Sequence, residues 1–140
     1  MELVINNCFG GFSLSAEAED MYAAGKGLTL YRYEQTKYKH RDGVDEYVRV
    51  NAADAGLFYH AYTQDHGEKC AELPDDDSYW SDHDIKRDDP LLIEVVRNLG
   101  KAASGQFAAL KIVEIPDGVE YEINEYDGNE HVAEAHRTWR

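Results

Sequence analysis

Three Asp-Gly pairs interrupt runs of β-forming residues, and they constrain the fold more than any other feature of the chain. The pairs begin at Asp42, Asp117 and Asp127. Asp-Gly readily adopts the backbone of a tight β-hairpin, so each pair predicts a reversal between antiparallel strands. The first pair lies inside the β-rich run 28–50, which predicts strand, turn and strand. The other two divide 108–139 into three strands, which predicts a C-terminal meander.

Two segments carry helical signals. The segment AEAEDMYAA follows Ser13 and Ser15, either of which can cap a helix, and it stops at Gly25. The segment LLIEVVRNL places apolar residues on one helical face, with Pro90 at its first turn and Gly100 just past its end. Together with the strands, these helices predict an α+β fold, a mostly antiparallel sheet with about two helices packed on one face.

The length of the chain predicts its domain organisation. At 140 residues it is long enough for one domain with a core and short for two. We therefore expect a single domain, 1–140. Its central part, 25–81, is rich in tyrosine and less acidic than the ends, which is typical of an elaboration inserted into a core formed by the two ends.

Several features predict a cytoplasmic protein. No apolar run approaches the roughly 20 residues that span a bilayer, and the start, MELVINN, lacks the basic and apolar regions of a signal peptide. Cys8 and Cys70 belong to no CxxC or metal-binding pattern, so we expect two reduced thiols.

The formal net charge of −14 limits the classes of partner. A field of that sign repels phosphate backbones and membrane surfaces and attracts cations. We therefore expect no direct binding to nucleic acid or membrane, and a basic protein as the favoured partner. The oligomeric state is not predicted by any of these features.

Acidic residues are concentrated near the C-terminus. Eight carboxylates and one basic residue lie between Lys111 and Glu134. In a strand from Val119, Glu120 and Glu122 would share one face, which can simply face water. Residues two apart also advance about 6.7 Å, so a row of glutamates can imitate a phosphate track. This second interpretation predicts a protein-binding surface made of Glu120, Glu122, Glu125, Asp127 and Glu130.

A second group of residues suits a small ligand. Arg87 precedes two aspartates and Pro90 at a helix start, where Asp88 or Asp89 can cap the exposed amides. The guanidinium can pair with an acidic neighbour or grip a ligand carboxylate or phosphate with two nitrogens. The polar and glycine residues of NNCFGG either form an ordinary turn or bring backbone close to a ligand. The predicted ligand-binding residues are Asn6, Asn7, Gly10, Gly11, Arg87, Asp89 and Arg137.

Templates for metal sites and catalysis do not match. The acidic loop between 74 and 89 lacks the glycine and closing glutamate of a calcium-binding EF-hand. His131 and His136 are five apart, a spacing that suits neither a strand face nor a helix face for zinc. The chain has no GxSxG and no complete phosphate-binding loop. We therefore predict no metal and no cofactor, and the sequence favours a binding protein over an enzyme.

Three stretches, INNCFGGFSLS, IKRDDPLLIEVVRNLG and LKIVEIPDGVEYEINEYDGNEHVAEAHRTW, resemble a group of small proteins found in phages, prophages and bacterial genomes. The resemblance covers the two ends of the chain, well over a third of its length, and leaves the middle unmatched. The resemblance implies a phage-linked origin, and it implies no particular activity or cofactor. Within the matching stretches, packing explains seven residues poorly: Asn6, Asn7, Arg87, Asp89, Asp127, Glu130 and Arg137.

Three functional hypotheses follow. The leading one is a small acidic phage-type inhibitor that blocks a host defence factor by covering its basic nucleic-acid site. The second is a sponge for a nucleotide signal, held by Arg87, Asn7 and the Gly10-Gly11 turn. The third is an enzyme that uses Asp89, Asp127 or Glu130 as acid and base, which requires their pKa values to differ.

Overall fold

A computed structural model of the protein describes residues 1–134, and Arg137 and the end of the predicted last strand lie outside this range. Within it the fold is α+β, with three α-helices and nine strands whose ladders are all antiparallel. The chain divides into two compact units. Of the described residues, the first contains 1–18 and 82–134, and the second contains 19–81, which includes the Tyr-rich segment.

The first unit is built on two pairs of strands. Strand β1 (Glu2–Asn6) pairs with β7 (Leu110–Glu114), and β8 (Tyr121–Tyr126) pairs with β9 (Asn129–Glu134), which lies beside β1. Helix α3 (Pro90–Leu99) packs on β1 and β7. Apolar side chains from β1 and α3 fill the core between them: Leu3, Val4, Ile5, Leu92, Ile93, Val95 and Val96.

The ends of α3 match the sequence signals. The carboxylate of Asp89 accepts a hydrogen bond from Leu91 N at 2.8 Å and caps the helix, while Pro90 occupies the first turn, where its missing N–H costs nothing. Gly100 follows the helix with φ +58°, a backbone angle that glycine adopts without strain.

Helix α1 (Ala16–Gly25) begins in the first unit and continues into the second. Of the two predicted caps, Ser15 is the one used, because its Oγ accepts a hydrogen bond from Ala18 N at 3.1 Å.

The predicted C-terminal meander is wrong. Within residues 1–134, β7 pairs with β1 and not with β8, although Asp117-Gly118 does form a turn. After β7, Ile115 N donates to Met1 O at 2.8 Å and continues the pairing with the N-terminus. Pro116 then ends it, since proline has no N–H to offer a ladder. The second part of the prediction is confirmed, because Asp127-Gly128 joins β8 and β9 as a two-residue hairpin with both φ values positive.

The second unit is a five-stranded sheet with the order β5-β3-β2-β4-β6. Its strands are β2 (Tyr31–Lys37), β3 (Glu46–Val50), β4 (His60–Tyr62), β5 (Lys69–Cys70) and β6 (Tyr79–Trp80). The predicted pairing of β2 and β3 is confirmed, but Asp42-Gly43 does not form a tight turn between them. The connection contains one short helix, α2 (Lys39–Asp42), which ends at Gly43 with φ +82°.

None of the helices within residues 1–134 combines the length and apolar character needed to cross a lipid bilayer.

Candidate functional site

An ion pair between a partly buried arginine and a buried glutamate joins two residues that the sequence assigned to different surfaces. Arg87 Nη1 donates to Glu130 Oε1 at 2.6 Å, and Nη2 donates to Oε2 at 2.8 Å. Glu130 is only 7% exposed, and the guanidinium lies 3.6 Å above the ring centroid of Phe12. This is the bidentate, stacked geometry that arginine forms best.

Asn6 completes the environment of this pair. Its backbone N–H donates to Glu130 Oε1 at 2.9 Å. Its fully buried side chain donates from Nδ2 to Cys8 O and Gly128 O, both at 2.7 Å, and accepts from Ala109 N at 2.8 Å. One amide therefore links β1, the segment after it, the β8–β9 turn and the start of β7. The hydrogen bonds of the Asn6 side chain are therefore made within the protein and not to a ligand.

Glycines allow these segments to approach one another closely. A Cβ built on Gly10 would lie 1.8 Å from Phe107 O, and a Cβ on Gly128 would lie 2.3 Å from Gly11 N. Gly11 has φ +89°, a backbone conformation that other residues adopt at a cost. The Gly10-Gly11 pair thus brings backbone close to Phe107 and to the β8–β9 turn, and not to an open cleft.

The electrostatics of Glu130 argue against an acid or base role. Burial alone would raise the pKa of this carboxyl, but hydrogen bonds from Arg87 and from Asn6 N–H outweigh burial and place the pKa below its ordinary value. A carboxylate that holds its negative charge this firmly is a poor proton donor near neutral pH. Because both terminal nitrogens of Arg87 already donate to Glu130, the guanidinium takes the alternative of pairing with an acidic neighbour.

This lowered pKa predicts a pH dependence of stability. The pair contributes its full stabilisation above the ordinary carboxyl value of 4.5 and loses it as pH falls through the lower pKa of the folded protein. We expect the free energy of unfolding to fall on acidification below 4.5, and to fall less steeply in Glu130→Gln. Urea titrations followed by circular dichroism at several pH values would measure both slopes. Parallel curves for the two proteins would contradict the predicted role of Glu130.

The remaining predicted ligand-binding residues do not extend this cluster into an open ligand site. Asn7 N donates to Ala109 O at 2.7 Å, and its side chain is exposed. Asp89 caps α3, as described above, and Asp127 lies exposed in the β8–β9 turn. Arg137 lies outside the described residues.

The β8–β9 hairpin carries most of the exposed carboxylates that the sequence singled out. Of the eight acidic residues between 111 and 134, only Glu130 is buried. Asp117 binds the N-terminal ammonium at 2.6 Å. The other six form no salt bridge with any residue in the described range 1–134: Glu114, Glu120, Glu122, Glu125, Asp127 and Glu134.

The strand register of the hairpin shows on which of its two faces each carboxylate lies. Glu125 lies directly opposite Glu130, so it belongs to the face on which Arg87 is bound. Glu122 lies on the other face, together with Tyr126. Glu120 precedes the strand. The predicted row is therefore distributed around the hairpin and is not a single line on one face.

The first unit also carries an exposed aromatic cluster that was not predicted from the sequence. Phe9, Phe107 and Tyr126 are 63%, 57% and 75% exposed, and the rings of Phe9 and Tyr126 meet edge to face at 6.4 Å. Each residue is isolated in the sequence between polar or small neighbours. The signal that could have revealed the cluster is the Gly10-Gly11 pair, because two adjacent glycines permit close approach of the backbone to Phe107 and to the β8–β9 turn after Tyr126.

The second unit contains a Ser-His-Asp group that resembles a catalytic triad only in composition. Ser78 Oγ lies 2.9 Å from His66 Nε2 and donates to Asp76 Oδ1. In a triad the carboxylate holds the histidine on its other nitrogen, whereas Asp76 here holds the serine. The hydrogen bonds from Ser78 lower the pKa of Asp76. The hydroxyl proton of Ser78 is therefore directed at Asp76, which also lies 3.8 Å from His66 Nε2, and the Ser-His-Asp order of a triad is not formed.

A cavity of about 630 Å³ also lies in the second unit. Its two arginines are bound by carboxylates of the same unit. Arg32 donates to Asp20 at 2.8 Å and to Glu19 at 3.1 Å, and Arg49 pairs with Asp65. The cavity therefore presents balanced charges, which do not favour a phosphate ligand.

Among residues 1–134, no three histidine, cysteine or acidic side chains come together as metal ligands. Comparisons with protein families, with curated proteins and with solved structures find no match to this chain.

Proposed function

We propose that the protein is a small acidic binding protein that presents the β8–β9 hairpin to a basic surface of another protein. The observation that carries this proposal is a set of five exposed carboxylates in or next to the hairpin that lack a salt bridge within residues 1–134: Glu120, Glu122, Glu125, Asp127 and Glu134. Mutual repulsion of these charges costs stability, and a cationic partner relieves that cost. In the phage setting that the sequence resemblance implies, the partner would be a host defence factor whose basic site binds nucleic acid.

The hairpin is suited to this role because hydrogen bonds to the rest of the first unit fix its position. Glu130 anchors one end of β9 to Arg87, and Asn6 Nδ2 anchors the turn through Gly128 O. Charges on a fixed scaffold lose less conformational freedom on binding than charges on a mobile loop. The nucleotide-sponge alternative lacks comparable support, because the guanidinium expected to hold the phosphate is bound to Glu130.

A charge-reversal experiment tests the proposal. The probe is a labelled 12-residue peptide of alternating arginine and alanine, with binding followed by fluorescence anisotropy at low salt. We expect the triple variant Glu120→Lys, Glu122→Lys and Glu125→Lys to bind about tenfold more weakly or worse, because close charge pairs contribute strongly to such contacts. Affinity of the parent should also fall steeply with added salt.

A matched variant separates a specific surface from net charge alone. Glu72→Lys, Asp75→Lys and Asp77→Lys change three exposed carboxylates of the second unit by the same total charge. We expect this variant to retain affinity within about threefold, since those charges lie outside the proposed surface. Equal losses in the two triple variants, or no loss in the first, would contradict the proposal.

A further inference from the structure

We infer that Phe9, Phe107 and Tyr126, the aromatic patch, receive arginine side chains of the basic partner. This inference rests on the proposed function and makes its chemistry more specific. All three rings are more than half exposed, although side chains of this size contribute most when they are buried. Exposed apolar clusters rimmed by polar residues are typical of protein interaction sites.

The aromatic patch is preorganised. The ring of Phe9 packs edge to face against Tyr126, and Phe107 contacts the backbone of Gly10, as the close approach at that glycine shows. The buried hydrogen bonds of Asn6 fix the backbone on which Phe9 and Tyr126 stand. A rigid platform of this kind binds with a smaller loss of conformational entropy.

Charge complementarity identifies the occupant. Glu125 and Asp127 flank Tyr126 in sequence, and Glu122 shares its face of the hairpin. No lysine or arginine occurs between 112 and 134. A guanidinium satisfies both features at once, because its flat face stacks on an aromatic ring while its edge binds carboxylates. The protein uses the same combination internally, where Arg87 stacks on Phe12 and binds Glu130.

The test compares two peptides and two variants. The first peptide is the arginine-alanine 12-mer, and the second has lysine in place of every arginine. The double variant Phe9→Leu and Tyr126→Leu keeps an apolar side chain at each position but removes the ring quadrupoles. Phe58→Leu is the matched control, because Phe58 is 85% exposed and lies in the second unit.

We expect the double variant to bind the arginine peptide about tenfold more weakly and to lose most of its preference for arginine over lysine. Phe58→Leu should bind as the parent does. The inference is overturned if the double variant binds both peptides with parental affinity while the triple charge reversal abolishes binding, a result that leaves the proposed function intact. Unchanged binding in the triple charge reversal would instead remove the proposed function itself.

A second copy of the chain is the rival occupant of the aromatic patch. Sedimentation equilibrium of the parent and of the double variant distinguishes it. We expect the two proteins to have the same mass in solution. A parental dimer that becomes a monomer in the double variant would overturn the inference in favour of self-association.

Discussion

Replacing Arg87 with alanine is expected to lower the free energy of unfolding by about 3–5 kcal/mol, because it leaves the buried carboxylate of Glu130 without its charge partner. Both carboxylate oxygens accept hydrogen bonds from Arg87, at 2.6 and 2.8 Å, and the guanidinium also covers the ring of Phe12. Urea unfolding followed by circular dichroism measures the loss.

Two further variants control this experiment. Arg97 pairs with Glu2 at an exposed position, so Arg97→Ala should cost about 1 kcal/mol or less. The double variant Arg87→Met and Glu130→Leu removes both charges, and it should recover much of the stability lost in Arg87→Ala. Equal costs for Arg87→Ala and Arg97→Ala would show that the buried pair does not organise the first unit.

Replacing Gly128 with alanine is expected to cost about 2–4 kcal/mol, the combined result of left-handed backbone strain and overpacking. The new Cβ would lie 2.3 Å from Gly11 N, 2.7 Å from Gly11 Cα and 2.9 Å from Phe9 O. All three atoms belong to the backbone, so no side chain can move aside to relieve the contact. Urea unfolding again provides the measurement.

Gly118→Ala is the matched control for that variant. Gly118 has a similar φ of +75°, but nothing lies within 4 Å of a Cβ built there. Its replacement should therefore cost only the backbone strain, about 1 kcal/mol. If the two glycine variants were equally stable, the close approach of the β8–β9 turn to the Gly10-Gly11 segment would be refuted.

Local signals in the sequence predicted the local structure well. Asp89, Pro90 and Gly100 gave the bounds of α3, and Asp127-Gly128 gave the tight turn of the β8–β9 hairpin. Each of these signals acts within a few residues, through a cap, a missing N–H or a positive φ, and so it can be read from a short stretch of sequence.

Pairings between distant residues could not be predicted in the same way. Strand β7 has the composition of a meander strand, yet it pairs with β1 at the opposite end of the chain. Glu130 has polar sequence neighbours as the exposed carboxylates do, yet it is buried where it binds Arg87, 43 residues earlier, and the backbone of Asn6. Alternation shows which residues share a face of a strand, but it does not show what covers that face.

The proposed binding surface combines a feature that the sequence shows with one that it hides. The density of carboxylates near the C-terminus is evident from the residues alone. The aromatic patch is not, because Phe9, Phe107 and Tyr126 are separated by up to 117 positions and are brought together by glycine contacts.

The most direct test of the proposed binding surface is a residue-by-residue map of peptide contacts. Amide chemical shifts of the ¹⁵N-labelled protein would be recorded during titration with the arginine-alanine peptide. We expect the largest shifts at Phe9, at Phe107 and between Glu120 and Asp127, with small shifts around Glu72 and Asp77. Shifts spread evenly over the acidic residues of both units, or concentrated in the second unit, would contradict the proposal that the β8–β9 hairpin is the binding surface.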